Sequence, residues 1–425
     1  MHRREFLRTA TTAATAAAFT HGLNVSPVRA RNFTAKNDRL HIGCIGVGSR
    51  GLPVTLSARR FGEIVAVCDA DRVHAERAQA KLSDGRAEIH EDYRRVLDRD
   101  DIDVITVVTP DHWHTKIAVD ALRAGKDVYC EKPMTLTIDE GKLICRTVEE
   151  TGRVFQVGTQ QRSDPEHFLL ALALIRAGRI GKVQRATAAI GGAPTSPSLP
   201  VMTPPPNLNW DLWQGQTPAV PYTRRRCHYE FRWWYEYSGG KMTDWGAHHV
   251  DIAQWGLGMD HTGPTTVEGT ATHPDVPNGY NTATAFRINC QFPDDVELVI
   301  RDDTDNGILF EGDQGRLFVN RGRISGAAVE QLADNPLPDG AIREVYKGRE
   351  PGDHMQNFFE CVAERDTPIS DVFTHHRALS TCHLANIAIR LGRPLHWDAT
   401  TQQIVGDDEA SGWLKRKQRA GYEVA

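Results

Sequence analysis

The sequence predicts an α/β fold in two parts: a doubly wound parallel sheet, then an α/β domain with an open, mostly antiparallel sheet. Three observations carry this. From Leu40 to Thr159, short continuous apolar runs alternate with helical patterns, as they do in parallel strands buried on both faces. The first of those runs ends in Gly46-Val47-Gly48-Ser49-Arg50-Gly51, a glycine turn that opens a helix. Beyond residue 183 the runs read as antiparallel strands, with one strong helix among them.

In chain order, residues 40–45 form the first strand and a helix follows the glycines. Residues 64–68 are the second strand, and a charged, alanine-rich helix covers about 71–82. Residues 104–108 are a strand, 114–124 a helix and 128–130 a strand. Thr137-Ile138-Asp139-Glu140 is a capping box that opens the next helix. That helix stops near Gly152, and residues 154–157 are a further strand. A loop rich in Pro, Ser, Thr and Asn covers 193–221. Strands are expected at 183–190, 282–290, 296–302 and 307–311. Helices are expected at about 242–257, 355–364 and 376–391. Pro336-Leu337-Pro338-Asp339-Gly340 reads as a turn between late strands.

A chain of 425 residues exceeds the usual single-domain size. Residues 36–160 are assigned to a nucleotide-binding domain and 161–425 to a substrate-binding and oligomerisation domain. Residues 1–30 read as an export leader. Arg3-Arg4-Glu5-Phe6-Leu7-Arg8 is a twin-arginine pattern, followed by a weakly apolar run at 9–19 and a cleavage site at Val28-Arg29-Ala30. His2 stands where that pattern prefers Ser or Thr. The expected destination is the periplasm, reached folded through the twin-arginine export machinery. No later stretch is long and apolar enough for a transmembrane helix.

The net charge is -5 and there is no long basic run, so nucleic acid is not an expected partner. The triple Arg224-Arg225-Arg226 reads as a solvated or substrate-facing loop. Eight cysteines include no C-x-x-C pair. They lie in strand and helix patterns and read as small buried hydrophobes, with no disulfides expected.

The glycine turn follows a strand, opens a helix, and is followed by Asp69 at the end of strand two. That context indicates dinucleotide binding. Gly46, Gly48 and Gly51 permit a tight turn and close approach of the backbone to a pyrophosphate. With Ser49 and Arg50 they lead into a helix N-terminus that supplies N–H donors. Asp69 is placed to accept from the adenosine ribose hydroxyls and to repel a 2′-phosphate, which favours NAD over NADP; Arg72 nearby keeps NADP open.

Glu131-Lys132-Pro133 directly follows a strand, and ligands of open α/β sheets bind beyond the carboxyl ends of strands. Lys132 is therefore placed to face the nicotinamide, with Pro133 restricting its backbone. Asp244 and His248, at i and i+4 of the strong helix, share a face. An imidazole and a carboxylate so placed can relay a proton from a hydroxyl whose carbon loses hydride. A charged Lys132 would stabilise the developing oxyanion and depress the pKa of the base. His249 and Asp251 read as capping or packing residues. Asp244, His248 and His249 lack a third metal ligand on one face, so no metal is expected.

Together, the glycine turn, Thr109-Pro110-Asp111-His112-Trp113-His114, Glu131-Lys132-Pro133 and the segment from Asp244 to His248 resemble the glucose–fructose oxidoreductase/inositol dehydrogenase/MocA (Gfo/Idh/MocA) superfamily, over nearly all of the mature chain. The resemblance implies a Rossmann domain followed by an open-sheet domain often used for oligomerisation, in a dimer or tetramer. It implies catalytic roles for Lys132, Asp244 and His248. It places Pro110 and His114 by the nicotinamide ribose, makes Thr109 a cofactor-binding residue and gives Glu131 a part in fixing the cofactor. The substrate class it implies is sugar-like.

On the substrate side, the strap Arg226-Cys227-His228-Tyr229-Glu230-Phe231-Arg232-Trp233-Trp234-Tyr235-Glu236-Tyr237 precedes the catalytic helix. Arg232, Trp234 and Tyr235 suit stacking on and hydrogen bonding to a sugar; core or interface packing accounts for the aromatics equally well. Gln160, Gln161 and Arg162 follow the last parallel strand and are expected to face the same cleft, with Asp211, Trp213 and the Pro-rich loop as a lid. The expected activity is NAD-dependent oxidation of a secondary hydroxyl of a sugar, polyol or glycoside, with a tightly bound and internally recycled cofactor. The alternatives are a redox-neutral NAD-dependent glycosidase or lyase acting through a transient keto-sugar, and a non-catalytic sugar-binding protein that keeps the fold.

Overall fold

The computed structural model describes residues 39–424. The expected export leader lies outside the described residues. The first half builds β1 (Leu40–Ile45), α1 (Gly51–Ala58), β2 (Gly62–Cys68), α2 (Arg72–Ser83), β3 (Glu88–His90), α3 (Tyr93–Leu97), β4 (Val104–Val107), α4 (Asp111–Arg123), β5 (Asp127–Cys130), α5 (Ile138–Thr151) and β6 (Phe155–Val157). These strands form one sheet in the order β3-β2-β1-β4-β5-β6, and every pair in it is parallel. That is the doubly wound arrangement, whose order reverses beside β1 and so opens a crevice at the carboxyl ends of β1 and β4. The strands are apolar because helices cover both faces: Val104, Ile105 and Val107 are fully buried. Thr137 caps α5 by accepting from Glu140 N at 3.4 Å, as the capping box requires.

The second half begins with α6 (Phe168–Arg176) and β7 (Val183–Ala189). The chain then runs as a long strap with one short helix, α7 (Trp210–Gln214), before α8 (Lys241–Asp244) and α9 (Gly246–Gly256). Next come β8 (Thr266–Thr272), β9 (Ala285–Gln291), β10 (Glu297–Arg301), β11 (Gly307–Gly312), β12 (Arg316–Val319) and β13 (Ile324–Ser325). The remaining elements are α10 (Ala327–Glu330), α11 (Ala341–Val345), α12 (His354–Glu364), α13 (Val372–Leu391), β14 (Leu395–Asp398), β15 (Gln403–Ile404) and α14 (Asp408–Ser411). The nine-stranded sheet runs β13-β12-β11-β7-β10-β9-β8-β14-β15, and only the β7–β10 pair is parallel. Helices α9 and α13 pack together and against this sheet, and their inward faces, Val250, Ile252, Leu384 and Ala388, join its core.

Two expectations change. The helix expected at 242–257 is two helices meeting at Trp245, because Gly246 starts a new turn there. The segment 336–340 lies between helical turns, not strands. All eight cysteines are free; seven are buried and Cys145 is partly so. No helix among the described residues is long and apolar enough to cross a membrane.

Candidate active site

One cavity of about 910 Å³ runs from the β2 terminus, past the glycine turn, to the start of α9. At its first end the backbone is pressed close. Gly46 has φ +79°, and a Cβ there would stand 2.5 Å from Thr109 N; a Cβ on Gly51 would stand 2.0 Å from Gly46 O. Only glycine permits this approach of turn, helix and β4 loop. The cradle, together with the helix N-terminus behind it, fits a dinucleotide pyrophosphate.

Asp69 lines the cavity and is fixed by two backbone donors, Val47 N and Asp71 N, each at 2.9 Å. His74 Nδ1 lies 3.6 Å from its Oδ2, and this carboxylate raises the His74 pKa. Gly48, Ser49 and Arg50 also line the cavity. Arg50 is held back by Glu131, donating through Nη2 at 2.7 Å and Nε at 3.0 Å. Glu131 therefore sets Arg50 and, through Gln160 at 2.9 Å, the β6 loop. Thr109, Pro110 and His114 are on the wall. The His114 ring nitrogens lie 2.8 Å from Thr109 O and 2.7 Å from Pro133 O, and burial favours the neutral ring, which donates to one of the two. It ties the loop after β4 to the lysine loop.

The strap between β7 and α8 closes the Asp69 end of the cavity. Asn207 O accepts from Arg72 N, Asn209 N donates to Ala70 O, and Asn207 Nδ2 donates to Asp71 Oδ1, at 2.9, 2.9 and 2.8 Å. His228 Nε2 lies 3.3 Å from Asp71 Oδ2. Asp71, His74 and His228 bring their ligand atoms within 4.8 Å of one another, the group of metal-ligand type found among the described residues. Asp244, His248 and His249 form no such group.

At the other end Lys132, from the loop after β5, meets Asp244 from α8. Its Nζ donates to Asp244 Oδ1 at 2.6 Å and to Asp244 O at 2.8 Å. Arg232 Nε lies 3.5 Å from the same carboxylate oxygen. Burial would raise the Asp244 pKa, but Lys132 and Arg232 outweigh it and hold it at about 2. His248, in the first turn of α9, is buried, and burial with the nearby Lys132 charge keeps its imidazole neutral. Its Nδ1 has no hydrogen-bond partner among the described residues. A neutral imidazole beside a fixed ammonium is suited to receive a proton from a hydroxyl whose oxygen the ammonium polarises.

The structure redistributes the expected substrate residues. Gln161 and Arg232 line the cavity. With its amide in the orientation that satisfies both ends, Gln161 donates to His248 O and accepts from Arg321 Nε, each at 3.2 Å. Arg162 does not reach the cavity: it is 1% exposed and forms a two-pronged ion pair with Asp251, at 2.6 and 2.9 Å, under the Trp255 ring. The turn after β6 points it into the second domain, where it braces α9. Trp234 is 1% exposed, donates to Arg225 O and carries Arg226 on its face at 3.6 Å, so it packs the strap core. Tyr235 faces a different cavity. Trp213 and Leu212 do line the active cavity.

Asp111 and Arg321 are among the cavity residues to which the sequence reading gave no role. Asp111, first residue of α4, is buried against Ser238, and burial pushes its carboxyl up to about 7. Its place right after Thr109-Pro110 was the available signal. Arg321, on the β12–β13 turn, stacks on Trp245 at 4.8 Å; no local pattern announces it.

Residues 40–159 match the oxidoreductase family with an NAD-binding Rossmann fold, Gfo/Idh/MocA, and residues 195–424 match that family's C-terminal alpha/beta domain. Inositol 2-dehydrogenase 2 of Saccharopolyspora erythraea is 26% identical over 322 residues, 73% of this chain and 77% of that protein. A glycosyl hydrolase family 109 protein of Shewanella putrefaciens is 31% identical over 210 residues, 44% of this chain; the match spans about half of that relative, 46% of its length. The WlbA dehydrogenase of Bordetella pertussis, solved with NADH and UDP-GlcNAcA, superposes with a TM-score of 0.61 at 18% identity, covering 85% of this chain and 98% of that one.

Proposed function

This chain belongs to the Gfo/Idh/MocA oxidoreductase family, and from that footing we propose that it oxidises a secondary hydroxyl of a sugar, polyol or glycoside in the periplasm and keeps its NAD bound through turnover. The observation that carries the reading is the Lys132–Asp244 pair beside a neutral, buried His248, in the same cavity as the glycine cradle. Bound in that cradle, NAD supplies the hydride acceptor. Lys132 stabilises charge on the substrate oxygen, and Asp244 fixes the ammonium. His248 receives the hydroxyl proton. Gly46, Gly48, Ser49 and Gly51 hold the pyrophosphate, and Asp69 the adenosine ribose.

Retention of the cofactor is supported by the strap. Its Asn207, Asn209 and His228 contacts fasten a segment of the second half across the β2–α2 turn, beside Asp69. Periplasmic action is supported by the twin-arginine pattern of the sequence. The similarity to inositol 2-dehydrogenase supports a polyol-like substrate.

The test is mass and absorbance analysis of nucleotide released by denaturing the purified protein. One NAD or NADH per chain is the expected result; an empty site that binds NAD weakly would overturn cofactor retention. A redox-neutral glycosidase reading has its own support in the glycosidase relatives. Deuterium at the oxidised carbon separates the two. Retention of label with solvent exchange at the neighbouring carbon and release of the aglycone favours cleavage, whereas transfer of label to a second sugar favours net oxidation.

A further inference from the structure

A second cavity, of about 480 Å³, shares no lining residue with the first. It is bounded by the start of α5, the end of α13, the end of the strap and the C-terminal tail. Its wall carries four cations: Arg390, Lys415, Arg416 and Lys417. Two carboxylates are also on the wall, and both are committed elsewhere. Glu140 accepts from Leu136 N at 2.8 Å and Thr115 Oγ1 at 3.1 Å. Glu236 accepts from Arg226 Nη1 at 3.0 Å and Asn281 Nδ2 at 2.9 Å. Among the described residues, none of the four cations has a carboxylate oxygen within 4.0 Å.

The two arginines are also held in place. The Arg390 guanidinium lies between two rings, 4.1 Å from the centroid of Tyr235 and 4.3 Å from that of Trp413. Rings grip its faces and leave the N–H edge free. Arg416 donates to Tyr235 O and Glu236 O, so both guanidiniums are anchored to Tyr235. Burial first, and Arg390 second, lower the Arg416 pKa to about 10. Glu140 and Glu236 act on Arg416, and Glu236 on Arg390, only from beyond ion-pair distance, so an anion seated closer would be a stronger partner for both guanidiniums. Planar guanidinium edges recognise carboxylate and phosphate oxygens in particular. Asn281, Asn386 and Gln216 add neutral amides for the rest of a polar ligand.

We propose that this cavity is a second ligand site, taking a small anion of the carboxylate or phosphate class between Arg390 and Arg416. Sugar acids and free phosphate or its esters share this chemistry. The cavity also touches the turn before the catalytic pair: Asn386 Nδ2 donates to Gly239 O at 3.0 Å, and Gly239 N donates to Thr243 Oγ1 at 3.0 Å. The inference does not depend on the reaction proposed above.

The experiment is calorimetric titration of the full-length, cofactor-loaded protein with sodium phosphate and with sodium D-gluconate, each against sodium chloride at matched ionic strength. Saturable binding of at least one anion is expected. Phosphate alone identifies a phosphate site, gluconate alone a sugar-acid site, and both a site for their shared anionic chemistry. Arg416 ties down the tail, and its loss risks misfolding, so the decisive variant is Arg390→Gln, whose native contacts are with rings. It should weaken binding by at least ~10-fold, the scale of one lost charge-assisted pair. The proposal is overturned if neither anion binds above the chloride control, if Arg390→Gln binds as the parent does, or if Lys132→Met rather than Arg390→Gln abolishes binding, which would place the anion in the active cavity. It is also overturned if Arg390→Gln changes only the oligomeric state, which would make the cavity a seat for a second copy.

Discussion

Replacing Lys132 with methionine removes the nearest charge on Asp244 while keeping an unbranched side chain. The Asp244 carboxyl moves from 3.8 to about 2 in the folded protein, under the pull of Lys132 and Arg232 against burial. That is just under two pKa units, and at about 1.4 kcal/mol per unit the Asp244 environment as a whole, burial against Lys132, Arg232 and Lys241, contributes about 2 kcal/mol of pH-dependent stability. A depressed acid stabilises the fold above its unfolded pKa, and the contribution is lost as pH falls through the folded value. Lys132 is the strongest of the lowering causes, so Lys132→Met should remove most of this contribution, on the order of 2 kcal/mol at neutral pH, and the cost should shrink below about pH 4 as Asp244 protonates in the unfolded chain. Arg232 remains 3.5 Å away, which keeps the loss below the ~3–5 kcal/mol of an orphaned buried charge. Urea unfolding from pH 7 downward, at constant free NAD, measures this. A cost that stays constant across that range, or no cost at pH 7, would refute the electrostatic account. The same variant should slow hydride transfer by about 10²–10³-fold through loss of oxyanion stabilisation; unchanged activity would instead restore the reading of a binding protein without catalysis.

His248→Asn should lower the single-turnover rate by about 10²–10⁴-fold with nucleotide content unchanged; a loss of bound nucleotide would assign the residue to cofactor binding instead. Arg162→Met leaves Asp251 buried without its main partner and should destabilise by about 3–5 kcal/mol in thermal or urea unfolding, whereas a change confined to the substrate KM would return Arg162 to the substrate site. Asp111, with a carboxyl near pH 7, should impose a step on the pH–rate profile close to neutrality that Asp111→Asn abolishes. Its raised pKa also means that the parent loses stability relative to the Asn variant as pH rises from about 4 towards 7, which paired unfolding curves would detect.

The nucleotide-binding half was readable because its signals are local. A continuous apolar run ending in glycine gave β1 with its true bounds, and a capping box marked α5. The short β3 and α3 escaped because three to five residues carry too little periodicity to stand out. Lys132, Asp244 and His248 do converge, although they come from separate loops and helices. Arg162 failed for a different reason. Its place after β6 was right, but the direction of its side chain was decided by Asp251, 89 residues later. Trp234 and Tyr235 were open between sugar stacking and packing; Trp234 packs against Arg226 of its own strap, whereas Tyr235 turns to the second cavity with Arg390 and Asn386, partners outside the local sequence. Arg321 and the second cavity depend wholly on tertiary folding.

The Lys132–Asp244 contact joins residues 112 positions apart, one on each half of the molecule. The lysine is tethered through Pro133 and His114 to the first sheet, whereas Asp244 and His248 ride on helices of the second. The two halves thus work as an interlock. Any parting of the halves would separate the ammonium from its carboxylate and, in the same movement, break the His228 and Asn207 contacts to the β2–α2 turn.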